Sequence, residues 1–421
     1  MAEKNAPEGR LARLARLARL GVRAGASAVL SGDGHEAAAR HAAEVLGNLR
    51  GLAAKVGQMA SYVDGVVPAE HQGAYEGALK VLRAAAPTSA PEDVRRVIAE
   101  ELGDAPERLF AEWEAVPIAS ASIGQVHRAR LDDGREVAVK VQHPGIDRAV
   151  EADLDNAGSL ELMLGAIAPR GLETRRAYDE IRTRFLEELD YRLEADRTEA
   201  FARIHAGDAA IRIPAVVRGR SARRVITTEF VRGLSLDEAA ARDEELRRRW
   251  AETLWRFVFR GTLVGGMFNA DPHPGNYLFQ DDGGVACLDF GCVQEIPEGN
   301  RVRAGEVHRA ALEGDEARFR EASRTLLESR PGPHETRSLA YVRRCFEPLL
   351  AAPYRVTRPY VAGLVTEMRD IGRAALQRES HATALPPGMV FMNRLQFGFY
   401  SVLARLDVAA DYRAVERGFL P

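Results

Sequence analysis

The feature that most narrows what this chain can fold into is a pair of acidic turns separated by a short hairpin pattern. The first turn reads Ala270-Asp271-Pro272-His273-Pro274-Gly275-Asn276 and the second Leu288-Asp289-Phe290-Gly291. Between them, Tyr277 to Phe279 and Val285 to Leu288 read as two short strands around the turn Asp281-Asp282-Gly283-Gly284. Phosphoryl transfer needs one carboxylate to orient or deprotonate the acceptor. It also needs an amide oxygen to help hold Mg²⁺ and a second carboxylate to bridge the metal to the phosphates. Asp271-x4-Asn276 has the spacing of a kinase catalytic loop, and Asp289-Phe290-Gly291 that of its metal-binding triplet. Each triplet or spacing alone is a weak signal; both in order, joined by a hairpin pattern, are a strong one. His273 and Pro274 are expected to shape the loop rather than to move protons.

A second segment, Val137-Ala138-Val139-Lys140, lies in a strand predicted from Arg135 to Gln142. It pairs with Gly124 to Leu131 across the hairpin signal Asp132-Asp133-Gly134. Val137, Val139 and Val141 share one face and Lys140 points to the other. A strand lysine facing a cleft neutralises nucleotide phosphates and usually pairs with a helix glutamate. Lysine is scarce here: of 58 basic residues four are lysine, Lys4, Lys55, Lys80 and Lys140. The candidate helix reads Glu187-Glu188-Leu189-Asp190-Tyr191-Arg192-Leu193-Glu194-Ala195, with Ile181, Phe185, Leu189 and Leu193 as its apolar stripe. Asp190 and Glu194, four apart, are expected on one face, where they repel by about 0.2–0.5 kcal/mol unless a cation lies nearby. Ile118 to Val126 occupies the place of a phosphate-covering loop, but with one glycine, Gly124.

Composition excludes more than it selects. A chain of 421 residues has room for two or three packed units, and a net charge of -3 gives no reason to expect nucleic-acid binding. Cys287, Cys292 and Cys345 form no CxxC pair, and no histidine spacing suggests a zinc site, so a reducing compartment is expected. No run is long and apolar enough to cross a bilayer; Met389 to Leu406 is interrupted by Asn393, Arg394, Gln396 and Arg405. The N-terminus lacks the apolar core of a secretory signal, and a cytoplasmic protein is expected. Residues 10–20, RLARLARLARL, form a basic amphipathic pattern suited to an anionic membrane surface or to packing on the protein body. Val45, Leu49, Leu52, Val56, Met59 and Val63 mark a second amphipathic helix, and a third runs from Glu92 to Leu102, closed by Gly103. A long helical region is predicted from Glu151 to Ile204 with a break near Pro169-Arg170-Gly171, then a strand from Arg224 to Phe230, then mainly helix. This order suggests a small β-rich lobe on a larger helical one.

Together these residues resemble the UbiB family of atypical kinases, also called AarF- or ADCK-type. The resemblance runs from about residue 45 to the C-terminus. It rests on Lys55-Val56-Gly57-Gln58, on the alanine-containing loop ending Ser122 to His127, on Glu188 to Ala195, and on the two acidic turns. It implies an α+β, bilobal, protein-kinase-like fold with a small β-rich N-lobe, a helical C-lobe and an added N-terminal helical extension. The divisions expected are 1–90 for the extension, 91–231 for the N-lobe with inserted helices, and 232–421 for the C-lobe. The resemblance implies that the helix of Lys55 and Gln58 folds over the active site, supported by Glu188 and Asp190. Lys140 with Glu194 would bind phosphate. Ala119, Ala121, Ser122, Gly124 and Gln125 would cover the nucleotide, Asp271 and Lys55 would serve catalysis, and Asn276 and Asp289 would hold the metal. The cofactors implied are ATP or ADP with Mg²⁺, and the partners an isoprenoid or anionic membrane lipid met peripherally at the inner face of the membrane. Relatives with hydrophobic C-terminal helices enter the membrane; this chain has no such run.

Three activities are compatible with the residues. The leading one is an ATPase or small-molecule or lipid kinase supporting isoprenoid quinone metabolism rather than phosphorylating proteins in trans. A choline- or antibiotic-type phosphotransferase shares the acidic loop but not Lys55 to Gln58 or Ser122 to His127. A nucleotide-gated lipid-binding or chaperone-like module would bind ATP with little turnover.

Overall fold

The computed structural model of the protein describes residues 88–120, 123–154, 182–183, 186–329, 331–376 and 389–420. The helices predicted at 10–20 and 45–63, with Lys55 and Gln58, and the loop residues Ala121 and Ser122 lie outside the described residues.

The chain enters the small lobe through helix α1, Pro91–Leu102, which stops at Gly103 in the left-handed region (φ 85°). Strands β1 (Glu112–Trp113), β2 (Ala119–Ser120), β3 (Gly124–Arg130) and β4 (Glu136–Gln142) follow. Helix α2 spans Ile146–Leu154, α3 Tyr191–Ile204, β5 Ile211–Arg212 and β6 Val225–Glu229. β1, β3, β4 and β6 form one antiparallel sheet in that order, with β2 also paired to β3. The β3–β4 turn is the one foreseen, with Gly134 at φ 87°. Val137, Val139 and Val141 are buried against Val94, Val97 and Ile98 of α1 and against Phe110, so the alternation fixes which sheet face meets α1.

The larger lobe is built on helix α4, Glu244–Leu263, which is capped by Asp243 and carries the buried Trp250, Trp255 and Phe257. β7 (Met267–Asn269), β8 (Tyr277–Phe279), β9 (Val285–Cys287) and β10 (Val293–Glu295) follow. β8 and β9 make the predicted hairpin, and Gly283 takes φ 84° in its turn. Helices α5 (Glu298–Glu313), α6 (Glu316–Leu327), α7 (Pro333–Cys345), α8 (Arg358–Leu376), α9 (Met389–Leu406) and α10 (Tyr412–Arg417) complete the lobe. α10 is pinned from inside: the fully buried Glu416 accepts from Trp255 Nε1 at 2.8 Å and meets His308 Nδ1 at 2.8 Å. Among the described residues no helix is long and apolar enough to cross a membrane.

Two predicted features come out differently. The helix expected to run unbroken through 187–195 is interrupted: Glu188 and Leu189 form a turn, and α3 starts at Tyr191 with Asp190 as its N-cap. Leu189 is buried while Leu193 is exposed, so the apolar stripe does not continue across the break. β5, although within the span expected for the small lobe, pairs in parallel with β9 of the hairpin. Phe201 and Ile211 accordingly pack into the larger core.

Candidate active site

Strand β4 presents Lys140 on the face opposite its three valines. Lys140 pairs in register with Val126, which pairs with Ala119, and Gly124 follows on the same face by the two-residue period. The sheet thus brings Ala119, Gly124 and Lys140 to one side. A Cβ on Gly124 would sit 2.5 Å from the Val141 carbonyl oxygen and 2.8 Å from the Tyr191 hydroxyl. Glycine is required here by close approach, not by an unusual φ.

Lys140 Nζ donates to both oxygens of Glu194 at 3.0 Å and to Asp289 Oδ2 at 2.9 Å. Its side chain is 16% exposed, that of Glu194 6% and that of Asp289 33%, so the cluster is dry on the helix side and open on the loop side. The Tyr191 ring lies beneath the ammonium, 5.0 Å from Nζ. Burial pulls the Lys140 ammonium down, but the carboxylates of Asp289 and Glu194 outweigh it and hold the group well above its ordinary value. Glu194 is raised to about 7: burial drives it up, Lys140 opposes, and Asp289 and Glu188 add to the rise. Two carboxylates thus share one ammonium, with Glu188 near enough to raise Glu194, and the cluster has an appetite for further positive charge.

The two acidic turns are laced together by amides. Asn269, at the end of β7, accepts from the Asp271 N–H at 3.0 Å and donates Nδ2 to the Asp289 carbonyl at 2.6 Å. Asn276 donates Nδ2 to the Asp271 carbonyl at 2.9 Å, and its own carbonyl accepts from the Leu288 N–H at 2.9 Å. The amide nitrogen of Asn276 being so used, its side-chain oxygen is the atom left for a cation. His273 Nδ1 accepts from the Gly275 N–H at 2.9 Å, which fits a loop-shaping residue. Phe290 is fully buried against Phe201 of α3, ring centroids 4.8 Å apart, and this packing seats the Asp289 turn beside the helix that carries Glu194.

Asn276 and Asp289 offer hard oxygen atoms, the donor type that suits Mg²⁺. Among the described residues no group of three or more His, Cys, Asp or Glu forms a protein-only metal cage. A cation held by these two residues would have coordination positions open to phosphate oxygens and water.

Two expected nucleotide contacts lie elsewhere. Gln125 pairs in register with Val141, so its side chain falls on the α1 side of the sheet, away from Lys140. There it is buried, accepting from the Ser89 N–H at 2.7 Å, with Nε2 2.9 Å from His127 Nε2. Asp190 does not share a helix face with Glu194. Because the chain turns at Leu189, its carboxylate caps α3 through the Arg192 N–H at 3.0 Å and holds the Arg192 guanidinium at 2.6 Å. Glu188 is buried close enough to raise Glu194. The reading from sequence missed Asn269 and Tyr191; a polar residue closing the apolar run Met267-Phe268 was the one available signal for the former.

A profile of the ABC1 atypical kinase-like domain matches residues 81–323, a span that holds Lys140, Glu194, Asp271, Asn276 and Asp289. The chain is 29% identical over 424 residues to "Atypical kinase COQ8B, mitochondrial" of Rattus norvegicus, covering 96% of this chain and 79% of that protein. It is 32% identical over 288 residues to AarF domain-containing protein kinase 1 of Gallus gallus, covering 66% of this chain and 54% of the relative. A solved structure similar to it is the erythromycin complex of a protein from Mycobacterium tuberculosis, with TM-score 0.62 and 29% identity over 90% of this chain and 94% of that one. Of several other curated relatives the chain spans about half the length or less.

Proposed function

This chain belongs to the ABC1 atypical kinase-like (UbiB) family, and on that premise we propose that it binds ATP or ADP with Mg²⁺. We infer that it hydrolyses ATP, or passes the terminal phosphoryl group to a small or lipid-like acceptor, in support of isoprenoid quinone metabolism. The observation that carries the reading is the contact of Lys140 with Glu194 and Asp289 at once. It joins the phosphate-binding strand, the supporting helix and the metal-binding turn at one point.

In this reading Lys140 binds the nucleotide phosphates and Glu194 holds its ammonium in place. Asp271 takes the proton of the attacking water or hydroxyl as the new P–O bond forms and ADP leaves. Asn276 and Asp289 would hold Mg²⁺, which when bound neutralises charge on the phosphate oxygens. Ala119, Ala121, Ser122 and Gly124 cover the phosphates. Lys55 and Gln58 belong to the extension, residues 1–90, that closes the site to peptides, and Glu188 supports them from the small lobe, with lobes at 91–231 and 232–421. The protein acts from the cytoplasm, meeting membrane peripherally at its inner face.

The test is Mg-dependent ATP turnover with and without anionic-lipid vesicles, in wild type, Asp289→Asn and Lys55→Ala. Turnover that disappears in Asp289→Asn and responds to lipid supports the proposal; failure of wild type to bind nucleotide ends it. A second reading is a nucleotide-gated binder of a bulky apolar ligand. Its support is the similar Mycobacterium tuberculosis structure, solved with erythromycin. Tight nucleotide binding without turnover, together with nucleotide-dependent lipid binding, would select it.

A further inference from the structure

Helix α3 reaches the Asp289 turn with a second side chain, three residues after Glu194. The Arg197 guanidinium donates Nη1 to the Gly291 carbonyl at 3.0 Å and Nη2 to Glu187 Oε2 at 2.5 Å. It is mostly buried, as is Glu187. The Gly291 N–H in turn donates to Asp289 Oδ1 at 2.9 Å, while Asp289 Oδ2 takes Lys140. Both ends of the Gly291 residue are therefore engaged, its N–H by the carboxylate it orients and its carbonyl by Arg197. The fit around Gly291 is close. A Cβ there would stand 3.2 Å from Asp289 Oδ1 and 3.5 Å from Glu194 Oε2. Glycine has wide backbone freedom, so the bond from Arg197 to its carbonyl limits the φ and ψ of Gly291, and without it the N–H that meets the carboxylate loses a restraint. Charge-assisted bonds from a planar fork resist that rotation better than a neutral donor does.

We propose that Arg197 is a positioning residue that sets the orientation of the Asp289 carboxylate, using Glu187 to aim its guanidinium and α3 to keep it in step with Glu194. The proposal rests on the reading of Asp289 as a ligand to Mg²⁺ beside a nucleotide. It deepens that reading by assigning an outer residue that the kinase-like motifs do not include.

The experiment measures binding of a fluorescent ADP analogue across a Mg²⁺ titration, and again in chelator. It compares full-length wild type, Arg197→Gln, Arg197→Lys and Glu187→Gln, each checked for folding by circular dichroism. Loss of an outer partner typically weakens metal affinity about 10- to 100-fold. The expected result is a Mg²⁺ requirement raised by about tenfold or more in Arg197→Gln, with binding in chelator unchanged. Arg197→Lys, which keeps one donor and the charge, falls between that variant and wild type, and Glu187→Gln shows a smaller shift in the same direction. A purely structural role would lower the melting temperature while leaving the Mg²⁺ dependence of the folded fraction as in wild type. That outcome in either folded Arg197 variant overturns the proposal. Wild type that binds no nucleotide at any Mg²⁺ concentration overturns the function reading and this proposal together, so the two failures are told apart.

Discussion

At the scale of single residues, the charge arithmetic around Lys140 makes the sharpest prediction. Glu194 is raised from 4.5 to about 7 in the folded chain. Between those values the folded form keeps a proton that the unfolded form has released, so this group's contribution to stability is complete below about pH 4.5 and lost as pH rises through 7. The loss is on the order of 3 kcal/mol for a shift of that size. Melting of the nucleotide-free protein from pH 5 to 8 is expected to fall accordingly, and Glu194→Gln to flatten that part of the curve. Lys140→Met removes the cation that opposes the rise, so Glu194 should titrate higher still. Gly124→Ala brings a methyl against the Val141 carbonyl and the Tyr191 hydroxyl. Overpacking of this kind costs about 1–3 kcal/mol, which a denaturant titration would show. The strand face of Lys140 and the turns that carry Asp271, Asn276 and Asp289 were legible in the sequence because their patterns are local. Asn269 was not, because its two hydrogen bonds reach turns on either side of a hairpin, and no local pattern encodes a bond over twenty residues.

At the scale of elements, alternation and turn chemistry made β3–β4 and β8–β9 readable, since Asp-Asp-Gly and Asp-Asp-Gly-Gly permit few other conformations. The start of α3 was hidden for the opposite reason. Leu189 and Leu193 keep a four-residue spacing straight through a turn, so periodicity continues where the helix does not. The cap now assigned to Asp190 predicts that Asp190→Ala lowers stability by about 0.5–2 kcal/mol, measured by chemical denaturation. Asp190→Asn should recover most of the loss. Gln125 makes a second case. Its alternate place along β3 decides its face, and there it holds the Ser89 N–H and His127. Gln125→Ala leaves buried polar groups unpaired and should cost about 1–3 kcal/mol, with nucleotide affinity of the folded protein unchanged. A large fall in affinity without a fall in stability would return Gln125 to the nucleotide.

At the scale of the whole molecule, Lys140 and Asp289 belong to different lobes, one on the small sheet and the other on the turn after the hairpin of the large lobe. The proposed nucleotide site and a fastening between lobes therefore use the same atoms. Asp289→Asn, in the absence of nucleotide, is expected to raise the radius of gyration seen by small-angle scattering, and nucleotide to leave that value higher than in wild type. Lys140 is also the one lysine among the described residues, and no lysine follows it in the chain. Every cleavage site for a lysine-specific protease thus lies in the first 140 residues, and the last of them sits beneath two carboxylates. Acylation of that single amine becomes a clock for the opening of the cleft, whereas cutting after it, in a strand paired on both sides, times the unfolding of the small sheet and is readable from one large, lysine-free C-terminal fragment.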